Sequence, residues 1–311
     1  MHWFNLGEHK LLTLLAIAVI GTLWFYLRID LRRRSTSVHA PQALTESQFI
    51  EIEDANIHYY KSGHGPHLIL LHGIGASVYI WRFLMPYLAK QFTVIAMDLP
   101  GFGKSSKDAL GDYGLDAQAR RILQTLEKLE VRQAIVVGSS MGGALALWLA
   151  KLQPQRFSKI VALNPAADSR LVPKSVVHLR NIAPLFSKSL NRFTMRTILQ
   201  RVVSRNELLS GEVIDAYLEP YRNSGDALRI VLAATALLAD HRLPAELKDL
   251  KSDVLILWGE KDKMVPKRSV MLLVQTLPRA TLFTHPQGGH HIMEDDPEWA
   301  AEKILEFLLS K

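Results

Sequence analysis

Cysteine is missing from all 311 residues of the chain. That absence excludes a disulfide framework, cysteine-ligated zinc, iron–sulfur clusters and thiol catalysis. It leaves the compartment open, because a chain without disulfides folds in either redox environment. Acidic residues are missing over one long window: between 169 and 206 stand eight Lys or Arg and no Asp or Glu. Internal repeats and low-complexity tracts are also lacking, so no repeat architecture is expected. What remains is globular in character, with 48% hydrophobic and 22% charged residues, six Trp, eight Tyr and eleven Phe. The length is ample for a buried core and suggests one large domain or two.

A formal charge of +7 permits an anionic partner, nucleic acid or lipid. The charge is unevenly placed. Residues 1–40 net +3 and the 169–206 window +8, which leaves the rest of the chain at −4. Residues 11–27 carry no charge. As a helix this run rises roughly 25 Å, slightly short of a ~30 Å hydrocarbon layer. Ile29 and Leu31 extend it if Arg28 snorkels, and Trp24 and Tyr26 suit an interfacial aromatic belt. Lys10 precedes the run, whereas Arg28, Arg32, Arg33 and Arg34 follow it, the reverse of a signal peptide. The expectation is an uncleaved single-pass anchor (1–31) with the catalytic body on the cytoplasmic side. Residues 32–47 read as a juxtamembrane linker, basic and then rich in Ser, Thr and Pro.

Beyond the linker, short β-like runs alternate with amphipathic stretches. Strands are predicted at 49–52, 57–60, 67–71, 92–97, 134–137, 159–163, 254–258 and 281–283. Helices are predicted at 115–129, 142–152, 267–277 and 298–309. Several of the strand runs are continuously apolar, as strands covered on both faces are. The alternation implies a mostly parallel sheet with right-handed crossovers, the first two strands forming an antiparallel hairpin at one edge. It stops between 166 and 250, a stretch helical in pattern. An insertion this long between two strands is expected to be a cap, since ordinary connections there are ~2–6 residues.

Three loops carry candidate chemistry. Gly138-Ser139-Ser140-Met141-Gly142 is a G-x-S-x-G pattern entered by a buried strand and left by an apolar helix, the context of a nucleophile elbow. A sharp turn at Ser140 demands small neighbours two positions away, which Gly138 and Gly142 supply. Gly143 lets the helix approach the sheet, and Ser139 is excluded as nucleophile by Val137 at its own i−2 position. A serine needs a base and an orienting carboxylate. Strand 254–258 leads into Glu260 and Asp262, and strand 281–283 leads toward His290 and His291. Asp168 is a third candidate acid. The order Ser, Asp, His is that of the α/β-hydrolase arrangement.

Over roughly 48–311 the chain resembles α/β-hydrolase-fold enzymes with a helical cap. The resemblance rests on five motifs in order: His72-Gly73-Ile74-Gly75, Asp98 through Ser105, Gly138 through Gly143, Trp258 through Asp262, and Gly289-His290 with Pro297 beyond. It implies an eight-stranded, mostly parallel sheet with helices on both faces. The core would comprise 48–165 and 251–311, the cap 166–250, all preceded by the transmembrane helix. It further implies Ser140 as nucleophile, Asp262 as acid and His290 as base, with Glu260 and Asp168 rivals for the acid and His291 for the base. The backbone N–H groups of Ile74 and Met141 would form the oxyanion hole, with Gly73 and Gly75 letting that loop turn tightly. His72 is expected to order the loop and Asp98 to fix a turn. No cofactor or metal is implied. Among capped members the chain looks most similar to membrane-anchored monoacylglycerol lipases. The lack of an Asp nucleophile and of a proline in the oxyanion loop points away from dehalogenases and epoxide hydrolases.

The expected activity is hydrolysis of carboxylic esters, lipid or monoacylglycerol-like. Carbon–carbon hydrolysis of ring-cleavage products is the second reading, and a membrane-tethered binding protein without turnover the third. The basic window, with Lys188, Arg192 and Arg196 spaced along one helical face, is either an ordinary surface or a cap resting on anionic lipid. Nucleic acid is not expected as a partner, since no recognised module accompanies the charge.

Overall fold

The computed structural model describes residues 46–185, 190–222, 224 and 226–310, all within one compact unit spanning Ser37–Lys311. The expected anchor, most of the linker and Lys188 fall outside the described residues. Among those described, no helix is long and apolar enough to cross a membrane.

Eight strands form one sheet: β1 (Ser47–Glu51), β2 (Asn56–Ser62), β3 (His67–Leu71), β4 (Thr93–Met97), β5 (Ile135–Ser139), β6 (Lys159–Leu163), β7 (Asp253–Gly259) and β8 (Ala280–His285). Their order is β1-β2-β4-β3-β5-β6-β7-β8. β1 and β2 pair antiparallel, and so do β2 and β4; every other neighbour is parallel. The predicted strands are all present, shifted by at most two residues at either end.

Helices cover both faces because the central strands alternate apolar side chains toward each. Ile69, Leu71, Val136, Ile160 and Ile256 share one core with α2 (Leu115–Lys128), α3 (Met141–Leu152) and α7 (Lys267–Thr276). Leu68, Leu70, Val137, Val161 and Leu255 share the other with α1 (Met85–Leu88) and α9 (Pro297–Leu309). Each such fully buried aliphatic side chain contributes about 1.5–3 kcal/mol.

Between β6 and β7 the described residues form helices and turns and no strand. The principal helices are α4 (Arg192–Val202), α5 (Gly211–Leu218) and α6 (Ala227–Leu238). α4 begins where Asn191 accepts the N–H groups of Phe193 and Thr194 in a capping box. The inserted segment straddles the sheet: Met195, Leu199 and Ile214 join one core, and Ile230, Ala234 and Leu237 the other.

The basic window has partners in the fold. Asp168 and Glu207, immediately outside it, pair with Arg170 and Arg205. Asp215 on α5 receives Arg192, and Arg196 donates to the Leu209 carbonyl. Lys174 and Arg180 are exposed. Among the described residues, Leu179, Ile182, Leu185, Phe193 and Ile198 are exposed large apolar side chains of the same stretch.

Candidate active site

The elbow between β5 and α3 is built from steric necessity. Ser140 has φ 54°, a left-handed value costly for any residue with a Cβ. A Cβ at Gly138 would stand 2.0 Å from the Gly142 carbonyl oxygen, and one at Gly142 would stand 2.1 Å from that of Leu71. The strain is held by backbone bonds: Ser140 N–H donates to the Leu163 carbonyl at 2.9 Å, and Ala166 N–H to the Ser140 carbonyl at 3.0 Å. Met141 is the first residue of α3, so its N–H precedes any intrahelical acceptor.

Opposite the elbow runs the loop His72–Gly75. A Cβ at Gly73 would lie 3.1 Å from Ser140 Cβ, so the two loops touch. His72 is fully buried, and burial holds its ring below the ordinary histidine range, hence neutral. Its Nδ1–H donates to the Gly73 carbonyl at 2.7 Å, while Nε2 accepts Leu99 N–H at 2.9 Å. It therefore braces the loop. Gly75, at φ 72°, gives its carbonyl to the Tyr221 hydroxyl at 2.6 Å. Asp98 fixes its turn, as expected, by accepting Lys104 N–H (2.8 Å), Val78 N–H (2.7 Å) and the Nδ1 side of buried His58 (2.7 Å).

Asp262 and His290 meet across the ends of β7 and β8. His290 Nδ1 lies 2.9 Å from Asp262 Oδ2, and Asn164 Nδ2 donates to that same oxygen at 2.7 Å. Oδ1 accepts the N–H groups of Met264 (2.6 Å) and Val265 (3.0 Å). Burial alone would push Asp262 upward. The His290 hydrogen bond and charge, with the backbone N–H and Asn164, bring it below the ordinary carboxylate range, so it stays ionised. The rivals lie elsewhere. Glu260 is exposed, with Thr284 as its partner, and Asp168 is engaged by Arg170 and Ser269. His291 Nδ1 turns to Glu294 at 2.6 Å.

Ser140, His290 and His291 line one cavity of about 340 Å³ together with Gly73, Ile74 and Gly75. The remaining lining is almost wholly apolar and comes largely from the inserted helices, Leu190, Met195, Ile198 and Leu199 among them. Ile198 and Met264, about half exposed, belong to both the cavity and the surface. No hydrogen bond joins Ser140 Oγ to His290 among the described residues. Such bonds are often long until substrate is bound. No group of three His, Asp or Glu side chains among the described residues has the geometry of a metal site.

Four supports were not anticipated from sequence. Asn164 stands at the end of β6 with φ 45°, a position where a short polar side chain is tolerated, and that C-terminal edge is the signal that could have flagged it. Tyr221 belongs to the inserted segment. So does Val202, whose carbonyl accepts the N–H groups of His290 (2.8 Å) and His291 (3.0 Å). Glu294 is fully buried against Arg82, Tyr217 and His291. Burial raises its carboxyl, but the Arg82 guanidinium and His291 outweigh that and hold it at about 2.

The match to known proteins follows this geometry. Residues 66–297 fit the family model of the alpha/beta hydrolase fold. An uncharacterized hydrolase, YugF of Bacillus subtilis, is 30% identical over 86% of this chain and 99% of its own. A 2-hydroxy-6-oxo-6-phenylhexa-2,4-dienoate hydrolase of Comamonas testosteroni is 27% identical, covering 83% of this chain and 93% of its own. Among solved structures, a membrane phospholipase A described as a bacterial virulence factor superposes with TM-score 0.72 at 24% identity, over 99% of this chain and 98% of its own, a likeness of fold. With the sheet order, the strained elbow serine and a family match over most of its length, the chain belongs to the alpha/beta hydrolase fold family.

Proposed function

We propose that the protein is a membrane-anchored serine hydrolase that cleaves carboxylic esters through an acyl-enzyme on Ser140. One observation carries the reading: a strained serine and a carboxylate-bound histidine share the wall of an otherwise apolar cavity. His290 Nε2 takes the proton of Ser140 Oγ as the oxygen attacks the ester carbonyl. Asp262, bonded to Nδ1–H, keeps the ring in the tautomer that makes this possible and stabilises the imidazolium. The N–H groups of Ile74 and Met141 face the negative charge that develops on the carbonyl oxygen. The imidazolium then protonates the leaving alcohol. Water, deprotonated by His290, attacks the acyl-enzyme and releases the acid.

The apolar lining favours an acyl chain. Its supply from a bilayer is favoured by the uncharged run at 11–27, by Ile198 and Met264 at the cavity edge, and by exposed Lys174 and Arg180 in the same segment as Leu179 and Ile182. In this reading 166–250 are the cap and the body lies on the cytoplasmic side. The full chain should resist alkaline extraction from membranes, and release by that treatment would refute the anchor.

Similarity to the Comamonas hydrolase favours a second reading, carbon–carbon hydrolysis of ring-cleavage dienoates. Such a substrate carries a carboxylate, yet no Lys or Arg is among the described residues that line the cavity. Glycerol and p-nitrophenyl esters of rising chain length, run beside a ring-cleavage dienoate, separate the two. A clear ester preference is expected, and a dienoate turned over faster than every ester would overturn the assignment.

A further inference from the structure

The base stands on a loop that the inserted segment holds. His290 lies between β8 and the short helix α8 (Ile292–Asp295), in a connection that is mobile unless it is tied down. Its main-chain N–H donates at 2.8 Å to the carbonyl of Val202, the last residue of α4, and that of His291 does so at 3.0 Å. A helix leaves its last carbonyls without intrahelical partners, and here the base loop takes one of them. Beyond Val202 the chain turns extended at Val203 (φ −98°, ψ 145°), and the next two N–H groups meet a single side chain.

That side chain is Asp295, 3% exposed. Its Oδ1 accepts the N–H groups of Ser204 (2.9 Å) and Arg205 (3.2 Å) from the inserted segment. Its Oδ2 accepts Gly289 N–H at 2.6 Å from the base loop. The two segments approach closely at this point. A Cβ at Gly289 would lie 2.8 Å from Ser204 N, 2.9 Å from Asp295 Oδ2 and 3.0 Å from the Val202 carbonyl oxygen. Burial raises the Asp295 carboxyl above its ordinary value, and the Gly289, Arg205 and Ser204 N–H groups draw it part of the way back. A buried carboxylate is costly as mere filler. What it supplies here is two acceptor oxygens, one toward each segment, which an amide with a single acceptor cannot do.

We infer that Asp295 is a positioning residue for His290: its carboxylate ties the end of α4 to the base loop, so that the imidazole stands ready for Ser140 only while the inserted segment is seated. The inference rests on the Ser140–His290 reading and deepens it. Asp295 acts through backbone alone, since the imidazoles of His290 and His291 bond to Asp262 and Glu294.

The test uses the full chain and p-nitrophenyl butyrate. Fluorophosphonate labelling run to completion counts the folded sites, so kcat is expressed per labelled site. Asp295→Asn, of equal size, should lower kcat about tenfold with KM changed less than about twofold. The rate constant of labelling should fall by a like factor, because it too needs His290 in place. Gly289→Ala forces the same contact apart from the other side and should do likewise. In the double variant the two losses should not add, since each breaks one tie. A purely structural Asp295 would instead give fewer labelled sites, each with native kcat, and that result overturns the inference. Fully additive losses overturn it as well. If Asp295→Asn leaves no labelled site, Gly289→Ala decides: a fall in kcat at constant KM supports the tie, and native kcat refutes it. A native protein labelled at Ser140 that hydrolyses no ester would fell the ester reading alone, and the labelling rates of the variants would still decide on Asp295.

Discussion

Asn164 Nδ2 donates to Asp262 Oδ2 at 2.7 Å, the same oxygen that meets His290 Nδ1 at 2.9 Å. The amide also reaches the Gly289 carbonyl at 3.2 Å, so one side chain just past β6 ties Asp262 to the loop that carries His290. Glycine tolerates the left-handed backbone here, so Asn164→Gly removes the amide without adding strain. Its kcat on a short ester should fall about tenfold with KM nearly unchanged, the loss of one charge-assisted hydrogen bond. An unchanged kcat would reduce Asn164 to a packing role.

The acid role separates cleanly from its nearest rival in sequence. Asp262→Asn should lower kcat about 10⁴-fold, the magnitude seen for the same exchange in a protease triad, because an amide imposes the wrong tautomer on the histidine. Glu260→Gln should stay within about twofold, since Glu260 faces solvent. Steady-state kinetics of the two variants side by side would show a misassigned acid at once.

Tyr221 links the inserted segment to the loop that presents Ile74 N–H. Tyr221→Phe deletes the bond to the Gly75 carbonyl while keeping the ring in place. We expect kcat to drop about tenfold and KM to change little, because small misplacements of catalytic groups are costly. A rise in KM with kcat intact would instead make Tyr221 a wall of the cavity and no more.

Glu294 predicts a pH signature in stability. Its folded carboxyl titrates at about 2, below its unfolded value of ~4.3. A depressed value stabilises the fold above the unfolded pKa, and the contribution disappears as pH falls from about 5 toward 2. The shift corresponds to roughly 3 kcal/mol at neutral pH. Urea unfolding at pH 7, 5 and 3 should therefore show Glu294→Gln far less stable than the native protein at pH 7 and closer to it at pH 3. A difference independent of pH would mean that Glu294 is not ionised in the fold.

Local physics made the elbow legible in sequence. Gly138 and Gly142 stand two residues either side of Ser140, and the buried strand and apolar helix flank them directly, although the contact that demands Gly142 is with the distant Leu71 carbonyl. The eight strands were legible for a similar reason, since alternation and apolar runs are properties of neighbours in the chain. The supports were not. Arg82 and Glu294 are 212 residues apart, and Tyr221 and Gly75 are 146 apart, so only the folded topology brings them together. Charge counting over 169–206 showed its limit at the window edges. Asp168 and Glu207 lie one residue outside, and their pairing with Arg170 and Arg205 removes part of the excess. Arg170, Lys174, Arg180, Arg192, Arg201 and Arg205 are nevertheless exposed among the described residues of that window.

The central claim, a nucleophilic Ser140 activated by His290 and Asp262, is tested most directly by covalent trapping. The native protein is incubated with a fluorophosphonate and the adduct located by peptide mass spectrometry. We predict stoichiometric modification of Ser140, lost in Ser140→Ala and slowed by orders of magnitude in His290→Ala. No adduct on the native protein, or an adduct that persists in Ser140→Ala, would contradict the account.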